Sequence, residues 1–133
     1  PGVLEAIQSA QAIVICPSNP ITSIGPILAV PGIRAALKQA TAPVVGISPI
    51  IGAAAISGPA HKLMIACGFA ASAAGVAGGY ADFLDTLVMA DEDCASTSAV
   101  EVFNVAPVCT DIRMGNIADK RRLAREVLAL VKK

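Results

Sequence analysis

Two rhythms of apolar positions alternate along this chain. At the start, Val3, Leu4, Ile7 and Ala10 fall on one helical face, with Glu5, Gln8 and Ser9 elsewhere, the spacing of an amphipathic helix. Ala12-Ile13-Val14-Ile15-Cys16 follows as an unbroken apolar run, stopped by Pro17-Ser18-Asn19-Pro20. A short run bounded in this way reads as a buried strand entering a tight loop. Thr22 and Ser23 are suitable N-caps for a short helix over residues 24–30. Pro31 then stands near a helix start, and Ile33, Leu37 and Ala40 share one face of a second helix. Pro43-Val44-Val45-Gly46-Ile47 repeats the strand pattern and ends at Ser48-Pro49.

Beyond Pro49 the pattern predicts a helix opened by Pro59 and stopped by Gly68, and another over 72–80. Thr86-Leu87-Val88-Met89 reads as a third strand, and residues 91–98 as a polar loop or short helix. Residues 105–110 form a fourth strand, which Pro107 pushes toward the sheet edge. The last helix is the clearest element. Asn116 caps it, Asp119 completes a capping box, and Leu123, Ala124, Val127, Leu128 and Val131 make its apolar face. Strands that are apolar on both faces belong in a parallel sheet covered by helices. The fold class expected is therefore α/β, a three-layer sandwich with a mostly parallel, Rossmann-like sheet, with strands 12–16 and 43–48 adjacent and the whole part of a larger domain.

Composition narrows the class without naming a function. Hydrophobic residues make up 55% of the 133 positions and charged residues 15%, against roughly 25% charged in an average soluble domain. Aromatics stand at 3%, so small aliphatic side chains do the packing. Disorder, a disulfide-stapled mini-protein and an aromatic nucleic-acid platform are excluded. Ten basic and ten acidic residues balance, which leaves no global field toward nucleic acid or an anionic membrane. A mean hydropathy of +0.69 raises the question of a membrane span. The uncharged stretch 63–81 has the length, but its Ala and Gly content and Gly68, Gly75, Gly78 and Gly79 argue against one continuous helix. Residues 111–133 hold seven of the ten basic residues, the outer solvated face of an α/β helix rather than a membrane surface. No basic region precedes an apolar run at the N-terminus. Cys16, Cys67, Cys94 and Cys109 form no C-x-x-C pair, and His61 is the single histidine. Reduced thiols, a cytoplasmic location and no zinc cluster are expected.

Two loops lie where open α/β folds bind ligands, after the carboxyl ends of strands. The first carries Ser18, Asn19, Thr22 and Ser23; the second carries Ser48 ahead of Pro49-Ile50-Ile51-Gly52. Hydroxyls and free backbone N–H groups before a helix start suit a phosphate or diphosphate. Capping of the helix by Thr22 or Ser23, with Asn19 in a turn, accounts for the same residues, and Ser48 equally suits a plain strand-to-helix turn. His61 reads as a structural histidine. Asp91-Glu92-Asp93 suits a solvated turn better than a Mg²⁺ site, and Asp82 and Asp85 suit solubility better than catalysis. No G-x-G-x-x-G, P-loop or G-x-S-x-G motif is present. No metal ligand is assigned within the chain, and its catalytic residues stay unassigned.

Pro17-Ser18-Asn19-Pro20, Thr22-Ser23-Ile24 and Pro26-Ile27-Leu28 resemble the GPSNPxTSIxPIL signature of the 2-phospho-L-lactate transferases. Those enzymes attach a phospholactyl group to a deazaflavin in coenzyme F-420 biosynthesis. The resemblance continues through Ser48-Pro49-Ile50-Ile51-Gly52, Gly58-Pro59, Gly75 to Asp85, Thr110-Asp111, Met114 and 119–128. It implies that residues 1–133 are the C-terminal part of one longer α/β domain. It also implies transfer of a phospholactyl or phosphoenolpyruvyl group from a guanosine-diphosphate-activated lactate or enolpyruvate to the deazaflavin Fo, with release of GMP. Ser18, Asn19, Thr22, Ser23 and Ser48 would hold the donor, while Mg²⁺ would sit on ligands outside this chain. The expected partners are these small molecules, and either a second copy or an N-terminal half. Two departures stand out: Cys16 replaces a Gly, and Ala53-Ala54 follow Gly52 where the family pattern has Gly and then a basic residue. A nucleotide-sugar-binding regulator of a related branch and a non-catalytic fragment needing a partner chain are the alternatives.

Overall fold

A computed structural model describes residues 1–52, 54–55 and 59–131. Helix α1 (Val3–Ser9) leads into strand β1 (Ile13–Ile15), a π-helical turn (Pro20–Ile24) and α2 (Gly25–Leu28). Then come α3 (Ile33–Gln39), β2 (Val44–Ile47), a small hairpin of β3 (Ile50–Ile51) and β4 (Ala54–Ala55), and α4 (Ala60–Ala66). Helix α5 (Ala73–Tyr80) precedes β5 (Thr86–Ala90), a 3₁₀ turn (Asp91–Ser96) and α6 (Thr97–Glu101). Strand β6 (Ala106–Thr110) and helix α7 (Ile117–Leu130) finish the described chain. The uncharged stretch 63–81 is broken between α4 and α5, where Gly68 turns left-handed at φ +81°. Among the described residues no single helix is long and apolar enough to cross a membrane.

The main sheet runs in the order β1-β2-β5-β6, and every pairing is parallel. Strands 12–16 and 43–48 are neighbours as expected, with Ile13 opposite Val44 and Ile15 opposite Gly46. Pro107 lies on β6, an edge strand, where a missing N–H costs least. Because strand side chains alternate between faces, β5 divides its residues cleanly. Leu87 and Met89 join a core with Ile33, Leu37, Met64, Val76, Tyr80 and Val100 of helices α3 to α6. Val88 and Ala90, with Val45 and Ile47 of β2, meet Ile112 and then Leu123 and Val127 of α7. These two cores on opposite faces make the three layers.

At the amino edge of the sheet, Asp85 ties three strands together. Its carboxylate accepts from the Val44 N–H at 2.7 Å, its own N–H donates to the Val44 carbonyl, and its carbonyl accepts from the Ala106 N–H. Asp82 accepts two hydrogen bonds from Arg34 and pairs with Lys38 at 3.3 Å, joining α3 to the end of α5. Both aspartates therefore bind elements together, where the sequence suggested solubility.

Two expectations need correction. The helix drawn over 24–30 starts earlier, at Pro20, and ends at Leu28, because Asn19 and not Thr22 or Ser23 provides the cap. The thiols are not all reduced, since Cys94 and Cys109 form a disulfide between the 3₁₀ turn and β6. Parallel pairing of β5 with β6 sets Met89 opposite Cys109, and the turn leaving β5 then folds back over its neighbour. Cys16 and Cys67 are free and exposed.

Candidate functional site

A parallel sheet delivers every strand-end loop to one edge, and three of those loops meet here. The loop after β1 brings Ser18, Asn19, Thr22 and Ser23, and the loop after β2 brings Pro49. The loop between β6 and α7 adds Arg113, Met114 and Gly115. Together they border a cavity of about 630 Å³, within the usual range of ligand pockets.

Asn19 is the organising residue of the first loop. Its side-chain oxygen accepts from the N–H groups of Ile21 at 2.9 Å and Thr22 at 3.2 Å. Its main-chain carbonyl accepts from those of Ser23 and Ile24, both at 3.0 Å. The wide turn that follows closes with the Gly25 N–H on the Pro20 carbonyl. A Cβ on Gly25 would stand 3.0 Å from that carbonyl oxygen, so glycine lets the turn widen. The donors expected to be free for an anion are thus already used, because the π-helical turn runs directly into α2 and leaves no open N-terminus after Ser23. What the loop offers a ligand is the hydroxyls of Ser18, Thr22 and Ser23 and the amide nitrogen of Asn19.

Ser48 is placed apart from these four. It is fully buried, and its hydroxyl donates to the Ile50 carbonyl at 3.0 Å while accepting from the Ile50 N–H. That local loop shapes the entry to β3 and keeps the side chain out of the cavity wall. Of the departures noted around Gly52, Ala53 lies outside the described residues, as do 56–58, including Gly58 of the family pattern.

Arg113 escaped the reading of the sequence. A basic residue soon after a predicted strand was the available signal, but β6 joins β1 and β2 at this edge only through the sheet order. Its guanidinium pairs with Glu92 at 2.5 Å and with Asp111 at 3.8 Å. Its N–H also donates to the Asp111 carboxylate at 3.0 Å. The hydrogen bond from Arg113 holds the Glu92 carboxyl below its ordinary range, and Glu92 in turn raises Arg113. Asp93, beside Glu92, accepts from the Gly52 N–H at 2.9 Å. The acidic turn therefore grips two of the three loops, through the carboxylates of Glu92 and Asp93.

A smaller cavity of about 360 Å³ lies on the helix side of the same turn, lined by Ile21, Leu28, Met64, Val76 and Tyr80. Its walls are apolar, and the guanidinium of Arg34 at its margin is committed to Asp82. The chemistry for an anion is in the larger cavity.

The family described as 2-phospho-L-lactate transferase CofD matches residues 1–128. A 2-phospho-L-lactate transferase of Methanosarcina mazei is 47% identical over 128 residues, covering 96% of this chain and 42% of that protein. A phosphoenolpyruvate transferase of Kitasatospora aureofaciens is 46% identical over 131 residues, covering 98% of this chain and 41% of its own length. The chain thus spans about two fifths of these curated relatives. Among solved structures, protein BH3568 of Bacillus halodurans superposes with a TM-score of 0.60 at 20% identity, over 94% of this chain and 45% of that one. That likeness bears on the fold alone.

Proposed function

The chain belongs to the 2-phospho-L-lactate transferase family, and from that premise we propose that its loop cluster receives the diphosphate of a guanosine-diphosphate-activated lactate or enolpyruvate. The observation that carries this is the placement of Ser18, Asn19, Thr22 and Ser23 on one wall of a cavity at the carboxyl edge of a parallel sheet. In the complete polypeptide a hydroxyl of the deazaflavin Fo attacks the phosphorus next to the lactyl or enolpyruvyl group. The bridging P–O bond breaks, GMP leaves with the bridging oxygen, and the hydroxyl proton is released. Ser18, Thr22 and Ser23 would donate to non-bridging phosphate oxygens and hold the donor in line. Ser48 would act one step removed, by fixing the loop behind Pro49.

The family resemblance also implies Mg²⁺. Among the described residues no group of three or more His, Cys, Asp or Glu is gathered to hold a metal. Glu92 and Asp93 are engaged with Arg113 and Gly52. The ion's ligands are expected outside this chain.

Calorimetric titration of GDP into the wild-type chain and into Ser18→Ala and Ser23→Ala tests the reading. Each hydroxyl lost from a charged oxygen should weaken binding by about 1–3 kcal/mol, and a UDP-sugar should bind more weakly than GDP. Equal affinities across the variants would return these hydroxyls to a structural role. Preference for the UDP-sugar would favour a nucleotide-sugar regulator. The chain alone should show no turnover.

A further inference from the structure

We propose that Arg113 is the cation that receives the diphosphate in this pocket, and that Glu92 occupies its guanidinium until an anion displaces it. The inference rests on the donor-binding reading above and adds a residue and a competition to it. Three observations lead to it. First, Arg113 borders the same cavity as the hydroxyls of the β1 loop, beside Met114 and Gly115. Second, Ala54 stands where the family resemblance implies a basic residue, which leaves room for a cation from another loop. Third, the guanidinium is held by exposed partners. Arg113 and Glu92 have 55% and 45% of their side-chain surfaces in water, where such pairs are weak and screened by salt.

The surroundings set the sign of the competition. Asp93 is directed to the Gly52 N–H, and Asp111 is shared with Arg122, whose own partner is Glu126. Glu92 is the carboxylate closest to Arg113, so it both neutralises the guanidinium and repels an incoming phosphate. A diphosphate offers a bidentate, more highly charged partner in exchange. Asp111 stays behind as the anchor, through its bond to the Arg113 N–H and its contact with Arg122. Glu92 would therefore act as an internal stand-in for the ligand, which raises selectivity for anions strong enough to replace it.

Inorganic pyrophosphate is the probe, titrated at low ionic strength beside GDP. Arg113→Gln should lower pyrophosphate affinity about tenfold, and Arg113→Lys should recover part of it. Glu92→Gln should raise affinity several-fold, a gain that a purely structural pair would not give. The double variant should behave like Arg113→Gln alone. Circular dichroism and the melting temperature show whether each variant keeps its fold. Unchanged pyrophosphate affinity in a folded Arg113→Gln, or a loss in Glu92→Gln, overturns the assignment. So does wild type that fails to bind pyrophosphate. If pyrophosphate binds in this pattern and GDP does not, the cation assignment stands and the nucleotide reading falls. If GDP binds equally to wild type and Arg113→Gln, the reverse holds.

Discussion

Asn19 and Ser23 sit four residues apart in one loop, yet the structure separates their duties. The Asn19 side chain accepts from two N–H groups and caps the π-helical turn. Asn19→Ala should cost about 1–2 kcal/mol of stability, as cap removal does, read by urea unfolding. Ser23→Ala should leave the unfolding curve in place and change only GDP binding. At Asp82 the reasoning runs through protons. The hydrogen bond from Arg34, then its charge, holds this carboxyl below the ordinary value against the opposing effect of burial. Such a group stabilises the fold at pH above the unfolded carboxylate value, about 3.9. That contribution disappears as pH falls through the lower folded value. Wild type should therefore lose melting temperature on acidification through that window, and Asp82→Asn should start lower and lose less. The polar character of Ser18, Asn19, Thr22 and Ser23 was legible in the sequence, but their division of labour was not. Whether an amide caps or binds depends on where the chain turns, and Gly25 sets that turn a full helical step away.

Individual elements were more legible than the contacts between them. The capping box of α7 appears as the sequence implied, with Asn116 accepting from Ala118 and Asp119 and its N–H donating to the Asp119 carboxylate. A cap is local, so three or four residues contain all its information. The same holds for Ser72, whose hydroxyl accepts from the Gly75 N–H at the start of α5. There the glycine has a second reason. A Cβ on Gly75 would lie 1.8 Å from the Ala70 carbonyl oxygen, which is backbone and cannot step aside. Gly75→Ala should destabilise by about 3 kcal/mol and lower the urea midpoint, whereas Gly79→Ala, with only the Phe69 ring at 3.7 Å, should be nearly neutral. The 3₁₀ turn at Asp91–Ser96 hid its importance because its partners are distant in sequence. Gly52, Arg113 and Cys109 all meet it, and each lies beyond the reach of a local pattern centred on the turn.

For the molecule as a whole, sheet order is what turned scattered loops into one site. The alternating strands and helices implied parallel neighbours, but the place of β6 beside β5 needed the structure. The apolar composition also takes on a location. Val14 on β1 is exposed, as are Val3 and Leu4 of α1, Ile27 and Val30 around α2, Ile65 of α4 and Phe69 just beyond it. No residue of α1 is buried, so the amphipathic face read at the chain's start lacks most of its partner. Edge strands and apolar patches of this kind associate in water. The isolated chain should run above its monomer mass in light scattering at micromolar concentration. A monodisperse monomer would show that this surface is tolerated.

Helix α7 is the sole described helix on its face of the sheet, and its contribution to that core rests on Leu123 and Val127. The opposite core draws on four helices and does not depend on α7. Detachment of this one segment would therefore wet the amides along one side of β2 and β5 while the rest of the fold stays shut. In a deuterium-labelling time course, α7 and the adjoining strand amides should exchange together, ahead of α3 and α5. The Arg113 loop leads directly into α7, so the same opening would carry away one wall of the ligand cavity. Ligand binding should then slow labelling at a helix that it never touches.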